Sequence, residues 1–277
     1  MSVRFKRDYK LTIGLGSEAV EIVPPFEISF SALENIQNRA LNKMNISIKG
    51  LKQSTRLKLI KYELDVYKYL PIKLEVGYRG RLYQAFKGSV KIGEMKREGA
   101  TWVSVLECAD GWPAFNNAFT SKTVKGRKLA IETIVGDMEN VDIGAVTELT
   151  ETIRPKVLVG ASSELLATIS QGKEMYIKDE KLYVFGSEDV ESAVAPLVSA
   201  LTGLVDTPVE DHIETTFNTI LNPTLRIGGL CVIESITNPS INGTYKVYQI
   251  STNGEYKGEN WSQTVTCRKA NNYKVVR

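Results

Sequence analysis

The chain has 277 residues, 43% of them hydrophobic and 24% charged, with a formal net charge of +3. That length accommodates two or three modules with cores of their own, and the apolar fraction excludes disorder as the default state. Basic and acidic residues, 35 and 32 of them, are interspersed rather than clustered, which excludes a dedicated nucleic-acid binder; no apolar run approaches the ~20 residues of a membrane-spanning helix.

The segment from Met1 to Asp8 is basic, but no hydrophobic stretch follows it, so neither a secretory leader nor a membrane anchor is expected. The acceptor-like triplets at Asn45, Asn242 and Asn260 then read as chance matches. Residues 1–112 form a first β-module. Tyr9–Ile13 and Asn45–Ile48 alternate as half-buried strands do, and Pro24-Pro25 interrupts regular structure between them. The stretch from Ser31 to Asn42 suggests a short helix of poor apolar spacing. Leu64–Tyr69 is a connector ahead of Pro71. Strands follow at Ile72–Tyr78, Ala85–Ile92 and Trp102–Cys108, and Asp110-Gly111-Trp112-Pro113 closes the module.

Residues 113–198 read as mixed α/β. Leu129, Ile131, Ile134, Val135 and Met138 recur at helical spacing. Ser162 or Ser163 is placed to cap a second helix carrying Leu165, Leu166 and Ile169, with Gly172 at its C-terminal end. Met175–Phe185 reads as a hairpin turning at Asp179-Glu180. Residues 199–277 form a second β-module of three strand-like runs at short spacing, with Gly228-Gly229 and Asn242-Gly243 marking tight turns. The expected fold is mainly β with an α/β insertion: two antiparallel β-barrel modules related by duplication, flanking the mixed middle. Trp102–Cys108 and Trp261–Cys267 share one spacing and are expected at corresponding strands, both indoles buried.

Chemistry is sparse. Gly14, Gly16 and Ala19 imitate a dinucleotide fingerprint, but Pro24-Pro25 leaves no room for the helix that would receive the pyrophosphate. His212, the only histidine, lies in a polar stretch with Glu210, Asp211 and Glu214; zinc sites and nucleophile pairs need more partners than it has. Asp137, Glu139, Asp142, Glu188 and Asp189 lack the apolar setting that tunes a catalytic acid. Lys122–Lys128 reads as the solvated entrance to a helix, and Cys108, Cys231 and Cys267 as reduced packing residues. No catalytic, cofactor or metal site is expected. Tyr78, Trp102, Trp112, Tyr245 and Trp261 fall in or beside β-runs, as core aromatics would.

With these residues assembled, the chain resembles the baseplate hub family of bacteriophage tails, which includes the late-control-protein-D-like hubs. The stations that carry the resemblance are Asn45–Leu51, Ile72–Tyr78 with Gly77 and Tyr78, Phe86–Gly88, and Trp102 to Gly111. In the last third they are Thr202–Pro208, Leu221–Gly228 with Asn222, Pro223 and Gly228, then Asn242–Tyr245 with Gly243 and Tyr245, and finally Trp261. The resemblance implies two tube-like domains per chain and a homotrimeric ring that adapts a sixfold tail tube to a threefold central spike. It implies partnership with the tail tube protein, the central spike protein and other baseplate subunits, in a virion tail made in the bacterial cytoplasm, and DNA passing through the lumen without specific binding. The chain is shorter than the larger hubs and carries no lysozyme-like or peptidase-like region, so no cell-wall cleavage is expected of it. Two other classes fit the residues: the hub of a non-viral contractile injection system, and a β-rich carbohydrate-binding module with exposed aromatics in a groove.

Overall fold

The computed structural model describes residues 6–36, 41–65, 68–151 and 154–276. The expectations for 1–5, for the stretch 37–40 and for part of the 64–69 connector lie outside the described residues.

Alternation builds the first third. Strands β1 (Arg7–Ile13), β2 (Val20–Ile22), β3 (Glu27–Asn35) and β4 (Lys43–Lys49) precede a short helix, α1 (Gln53–Leu59); β5 (Pro71–Tyr78), β6 (Arg81–Glu98) and β7 (Thr101–Ala109) follow. Tyr9, Leu11 and Ile13 of β1, and Met44, Ile46 and Ile48 of β4, are buried at every second position, as side chains alternating across a pleated sheet must be. The same rule corrects the reading of the stretch from Ser31 to Asn42. Its described N-terminal part continues β3 and is not helical, because Ile28, Phe30 and Ala32 point inward while Leu33 faces out.

The middle contains α2 (Ala114–Asn117), β8 (Phe119–Val124), α3 (Arg127–Gly136), β9 (Asp142–Val146), β10 (Lys156–Ala161), α4 (Ser162–Ile169), β11 (Glu174–Lys178), β12 (Lys181–Phe185) and β13 (Asp189–Val190). Helix α3 buries Ala130, Ile131, Ile134 and Val135 as its spacing predicts, but Leu129 is half-exposed and lies off the stripe. Neither serine caps α4 with its side chain: the N-cap position is Ala161, and the Ser162 hydroxyl instead meets that of Thr120 at 3.0 Å in a buried pair. Beyond α4, Gln171 and Gly172 both have positive φ (55° and 77°), which ends the helix. The β11–β12 hairpin turns where expected, through Asp179 and Glu180 at φ 56° and 62°.

The last third holds β14 (Leu197–Ser199), β15 (Val209–Asp211), β16 (Glu214–Ile220), β17 (Leu230–Glu234), β18 (Gly243–Glu255), β19 (Trp261–Lys269) and β20 (Lys274–Val275). Gly228 has φ 72° and does turn the chain, whereas Asn242-Gly243 does not form a two-residue hairpin turn. The β17–β18 connection runs over 235–242 through a 3-10 turn, and the Asn242 side chain accepts the Ser235 N–H at 2.7 Å.

Thirteen strands join in one sheet whose main path is β15-β16-β19-β18-β3-β4-β7-β6-β5-β1-β2, with β17 on β18 and β14 on β17. Within it one pattern occurs twice: β3-β4-β7-β6-β5 and β15-β16-β19-β18-β17, antiparallel at every contact. The registers agree to the residue. Cys108 lies opposite Val90 and Cys267 opposite Val247, and each pair is followed at once by a bulge, at Lys91 in β6 and at Tyr248 in β18. Trp102 and Trp261 therefore occupy equivalent places, opposite Arg97 and Gly254. The outermost strands differ: β1 runs antiparallel to β5, but β14 runs parallel to β17.

The two patterns are joined directly, β3 pairing with β18 from Ser29↔Glu255 to Asn35↔Gln249. Three apolar clusters follow. The first fills the N-terminal strands and takes in Leu221 and Trp261, and the second fills the C-terminal strands and takes in Ile36, Tyr176, Tyr183 and Phe185. The third packs α3 and α4 on Met175, Ile177, Leu182 and Val184. The β11–β12 hairpin thus buries both faces, alternate residues going to different clusters, which accounts for its nearly unbroken apolar sequence.

Candidate assembly surfaces

The most elaborate polar site is the joint where the β11–β12 hairpin meets the first β-unit. The Asp110 carboxylate, one residue past β7, accepts the Asp179 and Glu180 N–H groups at 2.6 and 2.8 Å. Gln84 of β6 donates to Asp179 at 2.6 Å, Lys87 pairs with Glu180 at 2.7 Å, and Tyr69 donates to Glu180 at 2.5 Å. Arg226, in the last third, reaches Asp179 at 3.4 Å. Burial pushes the Asp110 carboxyl well above the usual carboxylate range, although the two amides pull it down. Burial also pushes Glu34 up to about 7, opposed by Lys178 and Arg226. These groups hold one another, and the joint fixes the middle of the chain on both β-units. The sequence marks only a turn at Asp110-Gly111, because its partners are remote in the chain.

The residues singled out by sequence fall into three groups. Tyr78 donates from its hydroxyl to the Leu221 carbonyl at 3.0 Å, Asn222 N–H donates to Gln263 at 2.8 Å, and Leu221 N–H donates to the Trp261 carbonyl at 2.9 Å, so these stations converge on the first core. Pro223 is buried beside them. Gly111 (φ 74°) and Gly228 sit against opposite faces of the β11–β12 hairpin, where a side chain would strike Ile177 and Tyr176 respectively. Gly77 lies inside the β5–β6 hairpin against the Arg81 carbonyl, Gly243 opens β18, and buried Tyr245 donates to the Ile241 carbonyl at 2.6 Å. Trp112 is buried. Trp102 is not: it is 40% exposed beneath the Arg56 guanidinium, 4.8 Å from the ring centre, whereas Trp261 is 5% exposed and meets Phe30 edge-on at 5.7 Å. Its expected burial is corrected, and the difference has a visible cause. A neighbouring strand, β3, covers Trp261, and among the described residues no strand stands at the equivalent place beside Trp102.

Other candidates resolve simply. The His212 side chain projects into solvent from the β15–β16 turn, 3.6 Å from Asp211. The three cysteines are buried and free, Asp137 pairs with Lys122 at 2.5 Å, and among the described residues no group of three or more His, Cys, Asp or Glu is arranged to hold a metal. The exposed aromatics among the described residues, Phe26, Tyr62, Tyr83, Trp102, Phe119 and Tyr273, are dispersed along the chain. Across the β3–β18 joint, the solvent-facing side is a shallow depression of small uncharged groups, including Ser29, Ser31, Asn45, Ser47, Asn253 and Ser262, bordered by Glu255.

The fold is thus mainly β with an α/β insertion, one strand pattern carried twice and fused through a shared sheet. The family model described as "Baseplate hub gp41" matches residues 10–267, and the chain belongs to that family. No curated protein is significantly similar to it in sequence. Among solved structures, it is similar to the 43 kDa tail protein of prophage MuSo2 from Shewanella oneidensis, with a TM-score of 0.64 at 8% identity over 95% of this chain and 98% of that one. It is similar also to a tail protein from Neisseria meningitidis MC58, with a TM-score of 0.63 at 9% identity over 96% and 99%. The E. coli c3393 protein, described as a type VI secretion component structurally similar to the T4 tail proteins gp27 and gp5, matches with a TM-score of 0.64 at 9% identity over 97% and 79%. At such identities these likenesses establish the fold.

Proposed function

We propose that this chain is the structural hub of a phage tail baseplate, three copies forming a ring between a sixfold tail tube and a threefold central spike. The observation that carries the reading is the internal repeat. One chain supplies two equivalent five-strand patterns joined edge to edge, so three chains supply six similar positions while keeping threefold symmetry. In this reading residues 1–112 and 199–277 are the two tube-like domains, 113–198 is the inserted α/β domain, and the tail tube, spike and other baseplate subunits are the partners. In this reading the family-motif residues Gly77, Tyr78, Trp102, Gly111, Asn222, Pro223, Gly228, Gly243, Tyr245 and Trp261 are structural.

The small, uncharged face over the β3–β18 joint suits the wall of a channel. DNA binds proteins chiefly by releasing counterions to lysine and arginine, so a wall of serine and asparagine lets it pass. The role is mechanical rather than catalytic. The similarity to a type VI secretion component favours one alternative, the hub of a non-viral injection system, with the same ring geometry. Native mass measurement of the chain alone and with its spike tests the proposal: trimers, or monomers that trimerise on spike addition, are expected. A stable dimer, or a monomer indifferent to spike and tube, refutes it.

A further inference from the structure

We propose that the outer edge of β15, from Pro208 to Asp211, pairs with the second half of β6, Glu94 to Glu98, on a second copy of this chain. The pairing repeats between chains the joint that β3 and β18 make within one. The inference rests on the hub reading and deepens it, assigning the strands, the register and the covered side chains.

The chain carries its own template. Strand β18 has two neighbours along one edge: β17 against Gly243–Lys246, and β3 against Gln249–Glu255. Strand β6 has β5 along the first half of the matching edge, Arg81–Ser89. Beyond the bulge, among the described residues, that edge holds only the bridge between Lys61 and Gly93. Since Val90 corresponds to Val247, Gly93, Met95 and Arg97 correspond to Ile250, Thr252 and Gly254. The bonds from Ile36 N–H to the Tyr248 carbonyl and from Tyr256 N–H to the Ile28 carbonyl set the parity, so Ile250, Thr252 and Gly254 turn their peptide groups to β3. Gly93 obeys the same parity, exchanging both its bonds with Lys61 on that edge. Met95 and Arg97 are left facing outward with no strand opposite.

The other partner follows by the same equivalence. Met44 and Thr215 lie opposite Cys108 and Cys267, and their partners on the far side are Ala32 and Glu210. Phe30, Ser31, Ala32 and Leu33 thus correspond to Pro208, Val209, Glu210 and Asp211. As β4 pairs β3 on one side, β16 pairs β15; unlike β3, β15 has no strand on its other side among the described residues. The template register sets Val209 opposite Lys96, Glu210 opposite Met95, and Asp211 opposite Glu94 of the neighbouring copy. Glu210 and Met95 exchange two hydrogen bonds, and the Arg97 N–H donates to the Pro208 carbonyl; Pro208 has no N–H to return.

Two side-chain observations agree. Trp261 is covered because Phe30 lies across Gly254, whose missing side chain leaves room for the ring. Trp102, its equivalent, is open, with no strand among the described residues at the place β3 takes beside Trp261; Pro208, at the Phe30 position, is buried within its own chain and offers its backbone carbonyl. The β15 side carries Asp206, Glu210, Asp211 and Glu214, while the β6 side carries Lys91, Lys96 and Arg97 with Glu94 and Glu98 interspersed. In the template register Asp211 is diagonal to Lys96 and Glu210 diagonal to Arg97, both within reach of long side chains, against one unfavourable pair, Asp211 directly opposite Glu94. The two surfaces differ, so the joint is head-to-tail and forms rings when its rotation closes.

Cysteine pairs test the register. Val209 and Lys96 would form a non-hydrogen-bonded pair with Cα atoms about 4.5 Å apart, within the range of about 4.4–6.8 Å that a disulfide spans. The native cysteines are buried and do not compete. The full chain carrying Val209→Cys with Lys96→Cys, oxidised across a concentration series with and without spike, should yield covalent trimers on non-reducing gels. The out-of-register pair Val209→Cys with Glu94→Cys should yield about tenfold less, the ratio of one decade in an equilibrium. Trp102→Ala should leave circular dichroism unchanged while weakening association about tenfold. Trimers whose matched cysteines cross-link no better than the mismatched ones overturn this joint and leave the hub reading standing. A chain that remains single at every concentration, with or without spike, and forms no cross-link overturns both.

Discussion

The two tryptophans give a direct quantitative test of the repeat. Trp261→Ala removes an indole held between the two strand patterns at 5% exposure. An indole of this kind buries about 200 Å², and at ~25 cal/mol per Å² that area is equivalent to about 5 kcal/mol. Alanine keeps part of the contact, Phe30 relaxes only partly into the space, and the expected net loss is about 3–5 kcal/mol. The equivalent Trp102→Ala leaves no cavity, because the indole lies on the surface under Arg56. It forfeits a cation–π contact of about 0.5–1 kcal/mol together with a part of its buried area, about 1–2 kcal/mol in all. Urea titration of both variants and the parent, followed by far-ultraviolet circular dichroism so that no tryptophan signal is needed, measures the two losses on dilute monomer. The midpoint of Trp261→Ala should fall clearly further at unchanged slope. Equal losses, or a larger loss for Trp102→Ala, would refute the assignment of Trp261 to the core and of Trp102 to an uncovered site.

Three further outcomes follow from the site geometry. Gly228→Ala places a side chain on Tyr176 at φ 72°; about 1–2 kcal/mol for the left-handed backbone and about 1–3 kcal/mol for overpacking should appear as a lower urea midpoint, and an unchanged midpoint would count against the described packing. Asp110→Ala strips the acceptor from the Asp179 and Glu180 amides at about 1–3 kcal/mol for each group left unpaired, so hydrogen exchange at those two amides should accelerate; unchanged protection would contradict the joint. Glu34, at about 7 when folded against an ordinary 4.5, binds its proton more tightly in the folded state. Its stabilising contribution is complete below about pH 4.5 and is lost as pH rises through 7, so Glu34→Gln should flatten stability measured between those values and stabilise the chain in mildly alkaline buffer. A parent whose stability rises over that window with a slope that Glu34→Gln leaves unaltered would contradict the assignment.

Local pattern made much of the fold legible. Period-two burial in β1 and β4, the turn at Asp179-Glu180, and the shared tryptophan-to-cysteine spacing are all properties of neighbouring residues, and each appears where the sequence places it. The β3 segment misleads because Ala32, Leu33 and Glu34 are good helix formers, and only the pairing of β3 with β4 and β18 decides for strand. Ser162 misleads for a similar reason: a cap is a local expectation, and the buried Thr120 hydroxyl outcompetes it. The assembly surfaces were least legible. Asp110 becomes a joint only when a hairpin about seventy residues later in the chain arrives over it. Trp102 and Trp261 have matching local sequence, and what separates them is the presence of β3 beside one of them. Burial there depends on which strand lies next door, and no window of the sequence contains that information.

Native mass measurement of the full chain with its spike, followed by electron microscopy of the same sample, tests whether three chains close a ring through two equivalent β-units. The expected species has three times the 30.8 kDa chain mass and is seen end-on as a ring with six similar lobes around a channel. A stable dimer, or a single chain that ignores spike and tube, would contradict it.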